Sequence, residues 1–282
     1  MRIGAHTSIS KSLEDAAQHA HLIGGNTFQI FSASPRMWRA SAPSMPAVRL
    51  LEKAREKLDL TPLVIHDNYL INLAAVDETI RARSIVAFRG ELERAVAIGA
   101  EYLVAHPGSF KGQSLEASLL TFVASLEEAA RGIRSSKLWL LLENTAGQGS
   151  SIGRRLEEIG ALQRLSAGKV EFEIGYCLDT CHCYAAGYDV STAEGFDDFL
   201  AQAEAVLPLD RVKVIHANDS KGKLGSNLDR HAHIGKGEIG EAGFQRILRH
   251  PQLREKAFIL ETPDDEEGDH ARNIATLKRL AG

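Results

Sequence analysis

Eight short apolar runs recur along the chain, each followed by a polar loop and then by a stretch whose apolar residues fall three and four positions apart. The runs are Ile3–Ala5, Thr27–Phe31, Leu63–Ile65, Tyr102–Ala105, Leu138–Leu142, Ile174–Leu178, Val212–Ile215 and Phe258–Leu260. Their content of Val, Ile, Leu and Phe predicts strands. Helical spacing is clearest in Ser12–Ile23, Ile80–Ile98, Leu115–Ile133 and Ala193–Val206. Strands that alternate with helices pair in parallel, and near-continuous apolar strands suit a sheet covered on both faces. Eight such units predict an α/β chain folded as one (β/α)8 TIM barrel domain over residues 1–282, with an open doubly wound sheet as the competing arrangement.

The residues that follow these runs separate the two arrangements. They are His6, Ser32, His66, His106, Glu143, Asp179, His216 and Glu261, and all except Ser32 can bind a metal. A barrel builds its active site at the C-terminal strand ends, so residues scattered over the whole sequence would converge on one mouth. An open sheet would spread them along an edge.

Together with residues of two loops, nine donors become candidates: His66, His106, Glu143, Asp179, His182, His216, Asp229, His231 and Glu261. Imidazole nitrogen mixed with carboxylate oxygen suits Zn²⁺ or a similar divalent ion, with Mn²⁺ or Fe²⁺ as substitutes. One histidine after a strand is ordinarily a structural residue. Many ionisable groups buried together without a cation would carry a large desolvation cost, and that shifts the reading to metal binding. Nine donors exceed what one tetrahedral ion uses, so the count predicts a multinuclear site. Paired ions about 3.5–4 Å apart are a recurring device for phosphate ester cleavage. In Asp179-Thr-Cys-His182 a short turn can aim both donors inward, and in Asp229-Arg-His231 an extended segment puts both on one face. His6 and His233 read as residues that orient ligands or phosphate. Cys177, Cys181 and Cys183 sit in one short segment, which offers neither a disulfide framework nor the separated pairs of a thiolate zinc site.

A formal net charge of −4 announces no nucleic-acid partner, so any DNA binding has to come from local loops. No apolar run is long enough to span a bilayer, and the opening MRIGAHTSIS lacks a basic segment followed by a long apolar one. A cytoplasmic monomer with no membrane role is expected. The acidic run Asp264–Glu267 reads as a solvated loop.

Longer motifs carry a resemblance. HDNYLINL at 66–73, AHPGS at 105–109, LENTAGQG at 142–149, LDTCHCYAAGYD at 178–189, HANDSKGKLGSNLDRHAHIGKGEIG at 216–240 and LETP at 260–263 stand in order along nearly the whole chain. On these segments the chain resembles the endonuclease IV family, zinc-dependent apurinic/apyrimidinic endonucleases of base excision repair. The resemblance implies hydrolysis of the phosphodiester 5′ to an abasic site in duplex DNA, leaving a 3′-hydroxyl. It implies three zinc ions: one on His66 and His106, one on Asp179, His216 and Glu261, Glu143 bridging those two, and one on His182, Asp229 and His231. Glu143 would be catalytic, orienting or deprotonating the attacking water. Arg36, Tyr69 and Leu70 would insert into the base stack, while Trp38, Arg39, Lys111, Arg154, Arg155, Lys221, Lys223 and Arg230 offer further DNA contacts. Two departures stand out. The first loop, His6-Thr-Ser-Ile-Ser-Lys-Ser, lacks the paired glycines common there, and Cys183 replaces a small or apolar residue. The alternative is a sugar isomerase or epimerase of the xylose-isomerase-like superfamily, whose single ion would need only Glu143, Asp179, His216 and Glu261.

Overall fold

The computed structural model describes the whole chain from Met1 to Gly282. Eight strands, β1 (Arg2–His6), β2 (Thr27–Phe31), β3 (Leu63–His66), β4 (Tyr102–Ala105), β5 (Arg134–Glu143), β6 (Glu171–Asp179), β7 (Val212–His216) and β8 (Ala257–Leu260), close into a barrel. Every neighbouring pair is parallel, and β8 returns to β1. The closed barrel replaces the open sheet as the arrangement of these units. Helices α1 (Leu13–Leu22), α2 (Met45–Leu58), α3 (Glu78–Ile98), α4 (Leu115–Ala130), α5 (Leu156–Ser166), α6 (Thr180–Ala186), α7 (Ala193–Val206), α8 (Gly240–Arg249) and α9 (Asp269–Ala281) accompany it.

Local chemistry explains the boundaries. Ser12 stands outside α1 as its N-cap, its hydroxyl accepting the Asp15 N–H at 3.0 Å. α4 stops at Ala130, short of Ile133, because the chain turns through Gly132 at φ 76°. β5 and β6 begin earlier than their apolar runs, in a polar extension where Arg134 pairs with Glu171.

The barrel interior obeys strand parity. Val64, Val104, Leu141, Cys177, Val214 and Ile259 form one buried cluster, with Trp139 and Tyr102 packed against it. Two residues further along each of those six strands come His66, His106, Glu143, Asp179, His216 and Glu261. Side chains two apart share a face, so the apolar plug and the polar rim belong to the same inward columns. On β2 the column differs. Gln29 faces inward and bonds His6, His216 and Glu261, whereas Ser32, three residues later, faces outward to Glu91 and Arg94 of α3.

Two loops are fixed from beneath. Arg94, paired with Glu91 at 2.8 Å, bonds the Ala40 carbonyl at 3.3 Å, and Asn68 donates to the Met37 carbonyl at 2.5 Å, which pins the segment after β2. After β7, Asp219–Ser220 and His231–Ala232 form a two-residue antiparallel ribbon. The buried Asp219 carboxylate accepts the N–H groups of Gly235, Gly237 and Ile239 at 2.9–3.0 Å. Gly237 is required there, since a Cβ would lie 2.4 Å from the Ser220 oxygen.

Candidate metal centre

The nine donors gather at the mouth in three groups, within each of which the donor atoms lie within 4.8 Å of one another. In the first, His66 Nε2 and His106 Nε2 stand 3.1 and 3.5 Å from Glu143 Oε2. In the second, His216 Nδ1 is 2.9 Å from the other Glu143 oxygen, Oε1, and 3.2 Å from Glu261 Oε2, with Asp179 beside them. In the third, Asp229 presents one oxygen to His182 Nε2 at 3.2 Å and the other to His231 Nε2 at 3.1 Å. The two oxygens of the fully buried Glu143 thus face different groups. His231 Nε2 also lies 3.6 Å from Asp179 Oδ2, which links the second group to the third.

Four of the five donor rings are turned by what the other nitrogen meets. His66 Nδ1 lies 3.0 Å from the Asp67 carbonyl, His182 Nδ1 3.0 Å from the Asn144 carbonyl, and His231 Nδ1 2.9 Å from the Glu261 carbonyl. His216 is held instead through Nε2, 2.8 Å from Gln29 Oε1. An N–H donated backward to a carbonyl leaves a bare nitrogen forward, the tautomer that a metal ligand requires. The carboxylates are braced as well. Asn218 donates to Asp179 Oδ2 at 2.6 Å, and Asn144 accepts the Asp179 N–H at 2.7 Å. Asp179 Oδ1 in turn caps α6 by accepting the His182 N–H at 2.7 Å.

The electrostatics fit a cation. Burial opposes charge on His66, but the Glu143 carboxylate, with Glu261 and Asp67, outweighs it and raises the ring to about 10. Burial is likewise overcome by Asp179 and Asp229 at His231, raised to about 9, and at His182, raised well above its usual range. Burial would raise Glu261, yet His216 and His66 bring it down to about 2, and His106 and His216 hold Glu143 well below the carboxylate range. His106 is lowered, by burial first and then by His66 and His182. The carboxylates therefore draw positive charge into the mouth, as protons or as metal ions. His231 Nε2 is buried with no hydrogen bond of acceptable geometry despite the carboxylate 3.1 Å away, as befits a nitrogen and an oxygen that share an ion. The donor set suits divalent cations. The cysteines do not join it as thiolates, for burial pushes Cys181 up to about 12 and Cys177 and Cys183 well above their usual range.

Six of the nine donors, His66, His106, His182, Asp229, His231 and Glu261, line a cavity of about 1020 Å³ together with Arg36, Tyr69, His6 and Asp264, and the other three are buried beneath it. Tyr69 is 69% exposed, its ring edge-on to Phe31 at 5.2 Å, and Leu70 beside it is exposed. Not every loop residue named from the sequence reaches this cavity. Trp38 packs against the core, Arg230 folds back onto the Asp229 carbonyl at 2.7 Å, and Arg154 and Arg155 line a separate depression with Phe110 and Tyr188. Lys111, Lys221 and Lys223 are exposed. His6 accepts from Gln29, and His233 is bonded to Asn273, so neither stands among the three donor groups. Asp264, read as part of a solvated loop, is on the cavity wall near His270. Sequence reading passed over Gln29, Asn144 and Asn218. Inward parity on β2 would have found the first, since Gln29 is the polar residue that stands among Phe28, Ile30 and Phe31 in the body of the strand.

The comparisons agree with this geometry. Residues 17–280 match the family model described as a xylose isomerase-like TIM barrel. A probable endonuclease 4 from Solibacter usitatus is 56% identical over 282 residues, covering 100% of this chain and 97% of that protein. Another, from Methanoculleus marisnigri, is 42% identical, covering 99% of each. The crystal structure of endonuclease IV from Thermus thermophilus superposes with a TM-score of 0.85 at 40% identity, covering 99% of this chain and 98% of that one. A D-tagatose 3-epimerase-like protein, at a TM-score of 0.72 but 19% identity, shares the fold. Sequence identity at that level over the full length, together with the match in structure, shows that the chain belongs to the endonuclease IV family.

Proposed function

We propose that this chain is an apurinic/apyrimidinic endonuclease that uses three zinc ions to hydrolyse the phosphodiester 5′ to an abasic site in duplex DNA, leaving a 3′-hydroxyl. The observation that carries the reading is the split of Glu143, one oxygen toward His66 and His106 and the other toward His216. In this reading His66, His106 and Glu143 hold one ion, Glu143, Asp179, His216 and Glu261 a second, and His182, Asp229 and His231 a third. When bound, divalent ions supply Lewis-acid stabilisation of phosphoryl charge and make water acidic enough to act near pH 7.

The chain's own groups supply the rest. An ionised Glu143 accepts hydrogen bonds and orients the attacking water; its carboxyl, held well below the usual range by His106 and His216, stays ionised for that role. Arg36 on the cavity wall meets phosphate, and the exposed Tyr69 and Leu70 enter the base stack. An abasic nucleotide has no base to unstack, which makes it the cheapest one to turn into the cavity. The family membership supports the nuclease activity. The single-ion isomerase reading needs four of the donors and leaves His66, His106, His182, Asp229 and His231 without a role.

The test is a duplex carrying one abasic-site analogue, incubated with the zinc-loaded chain before and after prolonged chelation. A nick 5′ to the analogue that disappears on chelation is expected. An uncut strand under zinc-loaded conditions would overturn the proposal.

A further inference from the structure

We infer that Gln29 is a positioning residue whose side-chain amide sets the direction in which His216 and Glu261 face the donor cluster. The inference rests on the metal reading proposed above. Gln29 is completely buried on β2, level with His6 of β1 and Val64 of β3. Its amide nitrogen lies 2.6 Å from Glu261 Oε1 and 3.1 Å from His6 Nδ1, and its amide oxygen lies 2.8 Å from His216 Nε2.

Donor and acceptor chemistry fixes the protons around this amide. An ionised Glu261 only accepts, so the NH₂ end of Gln29 must face it, and the second amide hydrogen goes to His6 Nδ1. The carbonyl end is thereby committed to His216, whose Nε2 must donate. In the neutral ring that a bound cation requires, Nδ1 of His216 then carries the lone pair and points at Glu143 and Glu261, 2.9 and 3.2 Å away, so that one nitrogen and two carboxylate oxygens can share that cation. His6, accepting at Nδ1, carries its ring proton on Nε2.

His216 differs here from its neighbours. His66, His182 and His231 are turned by backbone carbonyls, which no substitution removes, and His106 Nδ1 has no partner at all. His216 depends on a side chain. Gln29 also joins three strands at one point, since its partners lie at the ends of β1 and β7 and just beyond β8.

The experiment compares the wild-type chain with Gln29→Met, which keeps the length and removes every side-chain hydrogen bond. Zinc content is counted by native mass spectrometry during a titration with a chelator. Loss of one ion of the three at a chelator concentration about 10–100-fold lower than in the wild type, with the other two retained, is expected. A general folding defect would release all three together. In parallel, ¹⁵N NMR of the imidazoles of the zinc-loaded wild type is expected to show His216 protonated on Nε2, a readout that stands even if the variant does not fold. Gln29→Met holding all its zinc as tightly as the wild type, or a wild-type His216 protonated on Nδ1, overturns the inference alone. A wild-type chain that takes up no divalent ion overturns the metal reading and the inference with it.

Discussion

His66, Glu143, Asp179 and His216 at the strand ends are buried, and each is held by a named partner, whereas Arg36, Tyr69, Leu70 and Arg230 in the loops above them are exposed. The difference fits what the proposed function asks of each region. Donors that share ions need distances set in advance, and ordering them during reaction would cost free energy that rigid strand ends have already spent. Side chains that meet a deformable duplex need room to conform. Even so, the loops are not loose at the backbone, because Arg94 and Asn68 anchor the Arg36 segment from below. The chain thus combines a buried, braced rim with exposed tips on an anchored base.

The strongest way to break this comparison is at its centre. Glu143→Ala is expected to lower cleavage of an abasic duplex by at least about 10³-fold. Duplex binding, measured by fluorescence anisotropy, is expected to survive, because the loop tips are untouched. Equal loss of both would merge the two regions. Arg94→Met attacks the base of the tips instead. It strands Glu91 as a buried charge, which is expected to cost about 4 kcal/mol in denaturant unfolding and to weaken DNA binding while zinc content stays at the wild-type level.

Acidity separates the regions in another way. In the metal-free chain the rings of His66 and His231 are raised above 6.5, to about 10 and about 9. A raised folded-state value contributes stability that is complete below pH 6.5 and is lost as pH rises through 9 and 10. The metal-free chain is therefore expected to lose several kcal/mol of stability between pH 6.5 and 10. The zinc-loaded chain should lose far less, since ions rather than protons then meet the carboxylates. Parallel pH dependences in the two forms would count against ring nitrogens as ligands. The smallest effect is expected at the tips. Tyr69→Ala should weaken binding of an abasic duplex by about tenfold, roughly 1.4 kcal/mol, with no change in zinc content.

Much of this was legible in the sequence, and for one reason. Six of the eight barrel strands are apolar runs closed by a metal-binding donor, so the run predicts the strand and the donor marks the end that faces the mouth. Spacing alone could not divide nine donors into groups, because the division depends on which oxygen of Glu143, Asp179 or Asp229 faces which ring. That is a property of side-chain torsions. Gln29, Asn144 and Asn218 stayed hidden because an amide has no metal-ligand signature and acts here through hydrogen bonds to residues far away in sequence. Trp38 and Arg230 illustrate the converse, since neither lines the cavity. An aromatic or basic residue in a loop suggests nucleic acid by type, while its direction is fixed by packing and by carbonyls nearby.

The count of metal ions tests the central claim most directly. Native mass spectrometry of the purified chain, resolved against its chelated form, is predicted to show three zinc ions per chain, one for each donor group around Glu143 and Asp229. A single ion that saturates the chain, with no further uptake at excess zinc, would contradict the account and leave the five donors outside the isomerase set unexplained.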